Sequence, residues 1–390
     1  MDGHLKRLSI LGSTGSVGNQ TLEVVRAFPE QFDVVGLASN KNREDIISQS
    51  KEFLPRFIAC NALSLADTAN LPESTNITDL AGVATADNVD ILVTATAGHA
   101  ALPHTFDAIN LGRNIAIANK ETIVMAGSKL TEHVKARGCS LLPLDSEPSA
   151  IWQCLRGEES PVSRLFITAS GGAFRNRPLG SLSTVTPTEA LAHPTWKMGP
   201  KITIDSATMM NKALEIIEAH WLFDIPADRI DVVVHPESII HSVVEFVDGS
   251  SKAQVGPPDM RVPIQVALSF PDRWPADHPR LDWTRTGPLT FEAADTDRFP
   301  CLGLAYAALR ADGSSPAALN AANEVAVARF LDGSIRFPDV PRLVEAGLAE
   351  IVHDDGYALP RESAELRANC RRLAGPQEAG KEVDGYRHGV

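Results

Sequence analysis

Two carboxylates stand two positions apart in the stretch PLDSEPSA, Asp145 and Glu147, at the end of the apolar run LLPL. In an extended chain alternate side chains share a side, so both can face one point. The same residues also suit a helix start, with Ser146 as N-cap and Glu147 and Pro148 in the first turn, where acids and proline are favoured. A third acid, Glu215, lies in ITIDSATMMNKALEIIEAHWLF, residues 202–223. Three oxygen ligands that leave room for water and substrate suit Mg²⁺ or Mn²⁺, and admit Co²⁺. The histidines at 193, 220, 235 and 241 have no spacing to cysteine that suggests zinc.

Residues 202–223 read as a strand running into a helix, with Asp205 or Ser206 as cap. On that helix Asn211 and Glu215 are four apart, and Lys212 and Glu215 three apart, so they share a face. Ser206, Asn211 and Lys212 resemble a grip for a phosphate. A solvated Lys212–Glu215 ion pair is the plain alternative. Upstream, RLFITASGGAF reads as a strand ending in Ser170 and a glycine pair, suited to an oxyanion or to a simple turn. The loop HPTWKMGPK, residues 193–201, carries Trp196 and Met198 between prolines and a glycine. Large apolar side chains in a loop cover something, either a bound substrate or the core.

The elements that must position these residues begin with LSILGSTGSVGNQTLEVV. A short β-rich run leads into Gly12, Gly15 and Gly18 and then a helical pattern, the order that makes a glycine turn a pyrophosphate cradle. The strand FDVVGLAS ends in Asn40, Lys41 and Asn42, with no acid for a ribose 2′-hydroxyl. Lys41 favours a 2′-phosphate, and hence NADP(H). RFIAC, VDILVTATAG, NIAIAN and CSLLPLD continue as strands between helical stretches, which predicts a Rossmann-like, doubly wound parallel sheet. Polar groups fall at strand ends: Gly98 and His99, then Asn119, Lys120 and Glu121, then Asp145 to Glu147. In such sheets ligands bind beyond the carboxyl ends.

Beyond this come strands with a hairpin at Asp248-Gly249, a helix in PPDMRVPIQVALSF, and a poorly periodic stretch over 271–300. From 301 onward CLGLAYAALR, SPAALNAANEVAVARFL, VPRLVEAGLAEIV and ESAELRANCRRLA read as helices. The expected division is 1–145 for the nucleotide, 146–270 as an α+β connective and catalytic unit, 271–300 as linker, and 301–390 as a helical domain. A net charge of −13 argues against a nucleic-acid binder. Five dispersed cysteines fit reduced thiols, and no signal peptide or membrane span is visible, so a soluble cytoplasmic protein is expected.

Taken together, LGSTGSVGNQTLEVV, ANKET, PLDSEPSAI, HPTWKMGPKITIDSATMMNKALEIIEA, HPESIIHS, PDMRVPI and NAANEVAVA closely resemble the 1-deoxy-D-xylulose 5-phosphate reductoisomerases, from about residue 8 to beyond 330. The resemblance implies a homodimer that uses NADPH and a divalent metal. It implies conversion of 1-deoxy-D-xylulose 5-phosphate to 2-C-methyl-D-erythritol 4-phosphate in the non-mevalonate isoprenoid pathway. By this resemblance Asp145, Glu147 and Glu215 hold the metal and Lys120 joins them in catalysis. Thr14, Gly15, Ser16, Val17, Asn40, Lys41, Asn42, Asn119, Glu121 and Gly199 meet the cofactor. Lys120, Ser146, Glu147, Ser170, His193, Trp196, Ser206, Asn211, Lys212 and Glu215 meet the substrate. Three departures stand out: Pro148 where the family has histidine, Asn40 where glycine is common, and Ala173 where proline often follows the glycine pair. An ordinary NADP-dependent dehydrogenase and a nucleotide-sensing regulator are the rival readings. Neither needs three acids beside a phosphate grip.

Overall fold

The computed structural model describes residues 5–196 and 198–349. Its first half is a parallel sheet of β1 (Lys6–Leu11), β2 (Phe32–Ser39), β3 (Phe57–Cys60), β4 (Asn76–Ile77), β5 (Ile91–Thr94), β6 (Asn114–Ile117) and β7 (Leu141–Pro143). The strand order is β4-β3-β2-β1-β5-β6-β7. Crossover helices intervene: α1 (Ser16–Ala27), α2 (Arg43–Phe53), α3 (Leu80–Thr85), α4 (Leu102–Asn110) and α5 (Lys120–Arg137). Leu8, Ile10, Leu22 and Leu37 pack in one core, while Leu11, Leu92, Ile115 and Ile123 pack in another. The strands are therefore apolar on both faces, as a doubly wound sheet requires. The order reverses between β1 and β5, and a ligand crevice opens at such a switch point.

The glycine turn after β1 is sterically enforced. Gly12 has φ +88°, and a Cβ on Gly18 would lie 2.1 Å from the Gly12 carbonyl oxygen. Only glycine at 18 lets α1 pack this closely onto the turn.

α6 (Ser146–Leu155) leads to the second, mixed sheet: β8 (Val162–Ala169), β9 (Ile230–Val234), β10 (Ile240–Phe246), β11 (Ser251–Val255) and β12 (Glu292–Ala293), ordered β11-β10-β8-β9-β12. The hairpin at Asp248-Gly249 forms as expected, with Gly249 at φ +82°. Helices α7 (Pro187–Ala190), α8 (Pro200–Ala207) and α9 (Met210–Phe223) accompany this sheet, α10 (Arg261–Ser269) returns to pack on α1 and the first sheet's core, and α11 (Cys301–Ala311), α12 (Ser315–Leu331) and α13 (Asp339–Ala349) follow. α11 packs on α9, and α12 packs on α5, α8 and α13.

Three local expectations are corrected. Residues 202–206 are helical, not a strand. ITID alternates like a strand, but Gly199 as N-cap and Pro200 at the first position start α8, which buries Thr203, Ile204 and Ala207 at helical spacing. Asp205 and Ser206 therefore lie inside α8 and cap nothing. The break before α9 is Met209, in the left-handed region at φ +61°. The N-cap of α6 is Asp145, whose side chain accepts from the Ser146 amide at 3.0 Å; Ser146 is the first helical residue. The stretch 271–300 is largely irregular but contributes β12, which pairs with β9. The helix expected over ESAELRANCRRLA lies outside the described residues.

Candidate active site

A cavity of about 560 Å³ opens between the two sheets' carboxyl-end loops. Ser16 and Val17 at the start of α1 line one side, and Lys120, Asp145, Ser146 and Glu147 line the floor. Ser170, Ser206, Asn211 and Lys212 line the far end, and His193, Trp196 and Gly199 the covering loop. Glu215 lies just beneath, fully buried.

Each segment arrives by its own local logic. Asn119 caps α5, accepting from the Thr122 amide at 2.8 Å, so Lys120 begins that helix and is buried against the cavity floor. Gly171 and Gly172 have φ +87° and +67°, and a Cβ on Gly172 would lie 2.5 Å from the Ser206 carbonyl oxygen. The glycine pair thus lets the end of β8 approach α8 and brings Ser170 beside Ser206.

Asp145, Glu147 and Glu215 offer ligand oxygens that all lie within 4.8 Å of one another. Two ammonium groups hold them together. Lys120 Nζ lies 2.5 Å from Asp145 and 3.2 Å from Glu215, and donates to Asn211 Oδ1 at 2.7 Å. Lys212 donates to Glu147 and, at 2.7 Å, to Glu215. Asn211 Nδ2 donates to Glu215 Oε1 at 2.5 Å. The Lys212–Glu215 pair is thus buried in the site, not solvated. Burial and Glu147 together push Glu215 up to about 7, despite Lys212 and Lys120. Burial also opposes charge on Glu147, but Lys212 overrides it and leaves that pKa lowered. Burial opposes charge on both lysines, and the facing carboxylates reverse it, raising both. Hard oxygen donors gathered around one point fit a divalent cation such as Mg²⁺ or Mn²⁺.

His193 is neutral: burial, then Lys212, lower its pKa to about 4. Its Nδ1 accepts the Thr195 and Trp196 amides at 3.1 and 2.8 Å, and its Nε2 lies 3.2 Å from Ser170 Oγ. The ring therefore ties the covering loop to Ser170.

Not every expected residue reaches the cavity wall. Asn119 also donates to the Thr96 and Gly98 carbonyls at 2.5 and 2.7 Å. Glu121 is buried and bonded to Lys201 at 3.0 Å. Thr14 lies 2.6 Å from Ser39 across their hydroxyls, and Gly15 is the N-cap of α1. Asn40 accepts from Asn61 at 2.9 Å, Lys41 is exposed at the end of β2, and Asn42 caps α2. These last three lie where the second strand ends, outside the cavity lining.

Sequence reasoning missed Glu218. It is fully buried one turn beyond Glu215, and both its carboxylate oxygens lack a partner among the described residues. Burial and the nearby Asp145 raise its pKa far above the usual carboxylate range. The available signal was two acids three apart in ALEIIEA, flanked by alanine, leucine and isoleucine.

Such a cradle, opening from a dinucleotide-type crevice onto gathered carboxylates and a phosphate-sized polar end, belongs to oxidoreductases that couple hydride transfer to metal-assisted chemistry. Residues 8–127 match the 1-deoxy-D-xylulose 5-phosphate reductoisomerase family, 141–223 its C-terminal domain, and 255–372 the DXP reductoisomerase C-terminal domain. The 1-deoxy-D-xylulose 5-phosphate reductoisomerase of Heliobacterium modesticaldum is 49% identical over 353 residues, covering 88% of this chain and 90% of its own. That of Chlorobium phaeobacteroides is 51% identical over 349 residues, covering 87% and 91%. The Zymomonas mobilis reductoisomerase in complex with NADPH superimposes with a TM-score of 0.87 at 38% identity, covering 96% of this chain and 100% of its own. A DOX-P reductoisomerase in complex with NADPH, fosmidomycin and magnesium has a TM-score of 0.87 at 36% identity, covering 95% and 97%. The chain belongs to the 1-deoxy-D-xylulose 5-phosphate reductoisomerase family. It is an oxidoreductase with a coupled isomerisation, converting 1-deoxy-D-xylulose 5-phosphate to 2-C-methyl-D-erythritol 4-phosphate.

Proposed function

We propose that Asp145, Glu147 and Glu215 hold a divalent cation, Mg²⁺ or Mn²⁺, in this reaction, and that NADPH lies along the β1–β5 crevice. The observation carrying this reading is the convergence of three carboxylate oxygens within 4.8 Å beside Lys120. When bound, the cation supplies Lewis acidity toward the sugar's carbonyl and hydroxyl oxygens. NADPH supplies the hydride.

Lys120 orients and polarises the same oxygens from α5. Ser170, Ser206, Asn211 and Lys212 hold the phosphate, so binding energy distant from the reacting carbons aligns them. Ser146 and His193 complete the polar lining. Trp196 and Gly199 belong to a loop that covers the bound sugar and excludes water. Thr14, Gly15, Ser16 and Val17 contact the cofactor's pyrophosphate end. Asn40, Lys41 and Asn42 receive the 2′-phosphate, and Asn119 and Glu121 support the nicotinamide side.

The further reading is of a cytoplasmic homodimer with a nucleotide domain over 1–145, a connective catalytic unit over 146–270, a linker over 271–300 and a helical unit over 301–390. Among the described residues no helix is long and apolar enough to cross a membrane.

NADPH oxidation with 1-deoxy-D-xylulose 5-phosphate and Mn²⁺ tests the assignment. Metal-dependent turnover abolished by chelator is expected; full turnover in excess chelator rejects the metal reading.

A further inference from the structure

Lys201 occupies an unfavourable place for a cation, the first turn of α8, where the helix dipole is positive. Two carboxylates hold it there. Asp205, one turn on, lies 2.8 Å away, and Glu121, at the start of α5, lies 3.0 Å away. Asp205 is buried, and its second oxygen accepts a 2.8 Å hydrogen bond from Asn323 on α12, itself fully buried. Glu121–Lys201–Asp205–Asn323 is thus a polar chain through the joint of three helices.

None of these four side chains lines the cavity, but their chain neighbours do. Lys201 sits between Gly199 and Ile202, both cavity residues, and Glu121 follows Lys120. One ammonium therefore pins the end of the covering loop to the helix start that presents Lys120.

We propose that Lys201 is a positioning residue, fixing the 198–199 end of the covering loop against the Lys120 end of α5. This rests on reading that loop as the cover of the bound ligands. Burial opposes charge on Lys201, but Asp205 and Glu121 reverse it and raise its pKa, so it stays cationic at any pH of assay. Loss of the bridge loosens the loop while leaving the metal carboxylates untouched. The effect falls on ligand affinity and turnover, because a displacement of about 1 Å can cost up to about a hundredfold.

The test compares Lys201→Met, Lys201→Arg, Asp205→Asn and the double variant Lys201→Met/Asp205→Asn. KM for NADPH and for substrate, kcat, Mn²⁺ affinity and the thermal midpoint are measured for each. Lys201→Met is expected to raise KM for NADPH roughly tenfold and to lower kcat. Mn²⁺ affinity should remain within about twofold, and Lys201→Arg should restore most of the loss. The double variant should be no worse than Lys201→Met, since Asp205 acts on the loop only through the ammonium that Lys201→Met already removes. A lowered midpoint with unchanged kcat and KM makes the residue merely structural and overturns the proposal, as does strict additivity. If Lys201→Met fails to fold, Glu121→Gln, nearly isosteric, weakens the same contact between α8 and α5 and must raise KM for NADPH; unchanged KM there overturns the proposal. Trp196→Ala tests the covering loop separately: unchanged KM there sinks the loop reading itself, whereas raised KM in Trp196→Ala with unaltered Lys201→Met sinks only the role of Lys201.

Discussion

Lys212 donates to Glu215 at 2.7 Å from one turn earlier on the same helix, and its ammonium also reaches Glu147 on α6. A three-residue spacing along α9 is thereby turned into a link between two halves of the chain. The pair is buried, with side-chain exposures of 8% and 0%, so losing one partner leaves the other charge desolvated.

Glu215→Gln removes one metal oxygen and one partner of both lysines. Mn²⁺ affinity is expected to fall at least about tenfold, and kcat/KM by about a hundredfold or more. Titration of Mn²⁺ by EPR, beside NADPH oxidation, checks this. Unchanged affinity would show that Glu215 is no ligand.

Pro148, the departure nearest the chemistry, occupies the third position of α6 and is buried. The first helical bond there runs from the Ser149 amide to the Asp145 carbonyl at 2.9 Å, so proline's missing N–H costs no bond. Its fixed φ preorganises the turn that carries Asp145 and Glu147. Pro148→Ala is therefore expected to lose roughly 0.4–1 kcal/mol of stability, mainly through the unfolded chain. Metal affinity stays unchanged. Denaturant unfolding with Mn²⁺ titration measures both.

What was legible before the structure was local. The glycine turn, the β-rich runs and the i, i+4 face of α9 each declare themselves within a few residues. The Thr186–Glu189 capping box with Pro187 at the first helical position is equally local, closed within four residues. ITID misled because its alternation is more conspicuous than the proline two residues upstream that starts α8, and packing of α8 against α9 and α12 is not visible in the sequence. Glu218 was hidden because an acid among isoleucines reads as a surface face until the helix proves buried all round. The Glu121–Lys201 bridge joins residues 80 apart, a distance at which no spacing rule operates.

Lys41 follows β2, where a dinucleotide's ribose rests in this type of sheet. Lys41→Ala is expected to raise KM for NADPH about tenfold and leave KM for NADH nearly unchanged. Parallel assays with the two cofactors decide it; an equal effect on both would remove Lys41 from 2′-phosphate recognition.

His193 makes the loop acid-sensitive. Its folded pKa of about 4 lies below the ordinary value of 6.5, through burial and then Lys212. The unfolded chain therefore takes up the proton first as pH falls. Stability from the neutral ring is complete above about 6.5 and is lost progressively toward 4. Protonation at Nδ1 also removes the acceptor for the Thr195 and Trp196 amides. Between pH 6.5 and 4 the thermal midpoint of the wild type should fall more steeply than that of His193→Gln. Parallel curves would contradict this.

Glu218 sets stability against function. Its two buried, unpartnered oxygens cost folding free energy of about 1–3 kcal/mol, which an apolar side chain of similar size would recover. Yet the same carboxyl lies close to Asp145, Lys120 and Glu215; its raised pKa keeps it protonated on its own, and a bound dication, by favouring the carboxylate form, is held more tightly for it. Glu218→Leu is expected to raise the thermal midpoint while weakening Mn²⁺ binding by about tenfold. Calorimetry and metal titration on one preparation read both. A destabilised variant with full metal affinity would mean that Glu218 serves packing alone.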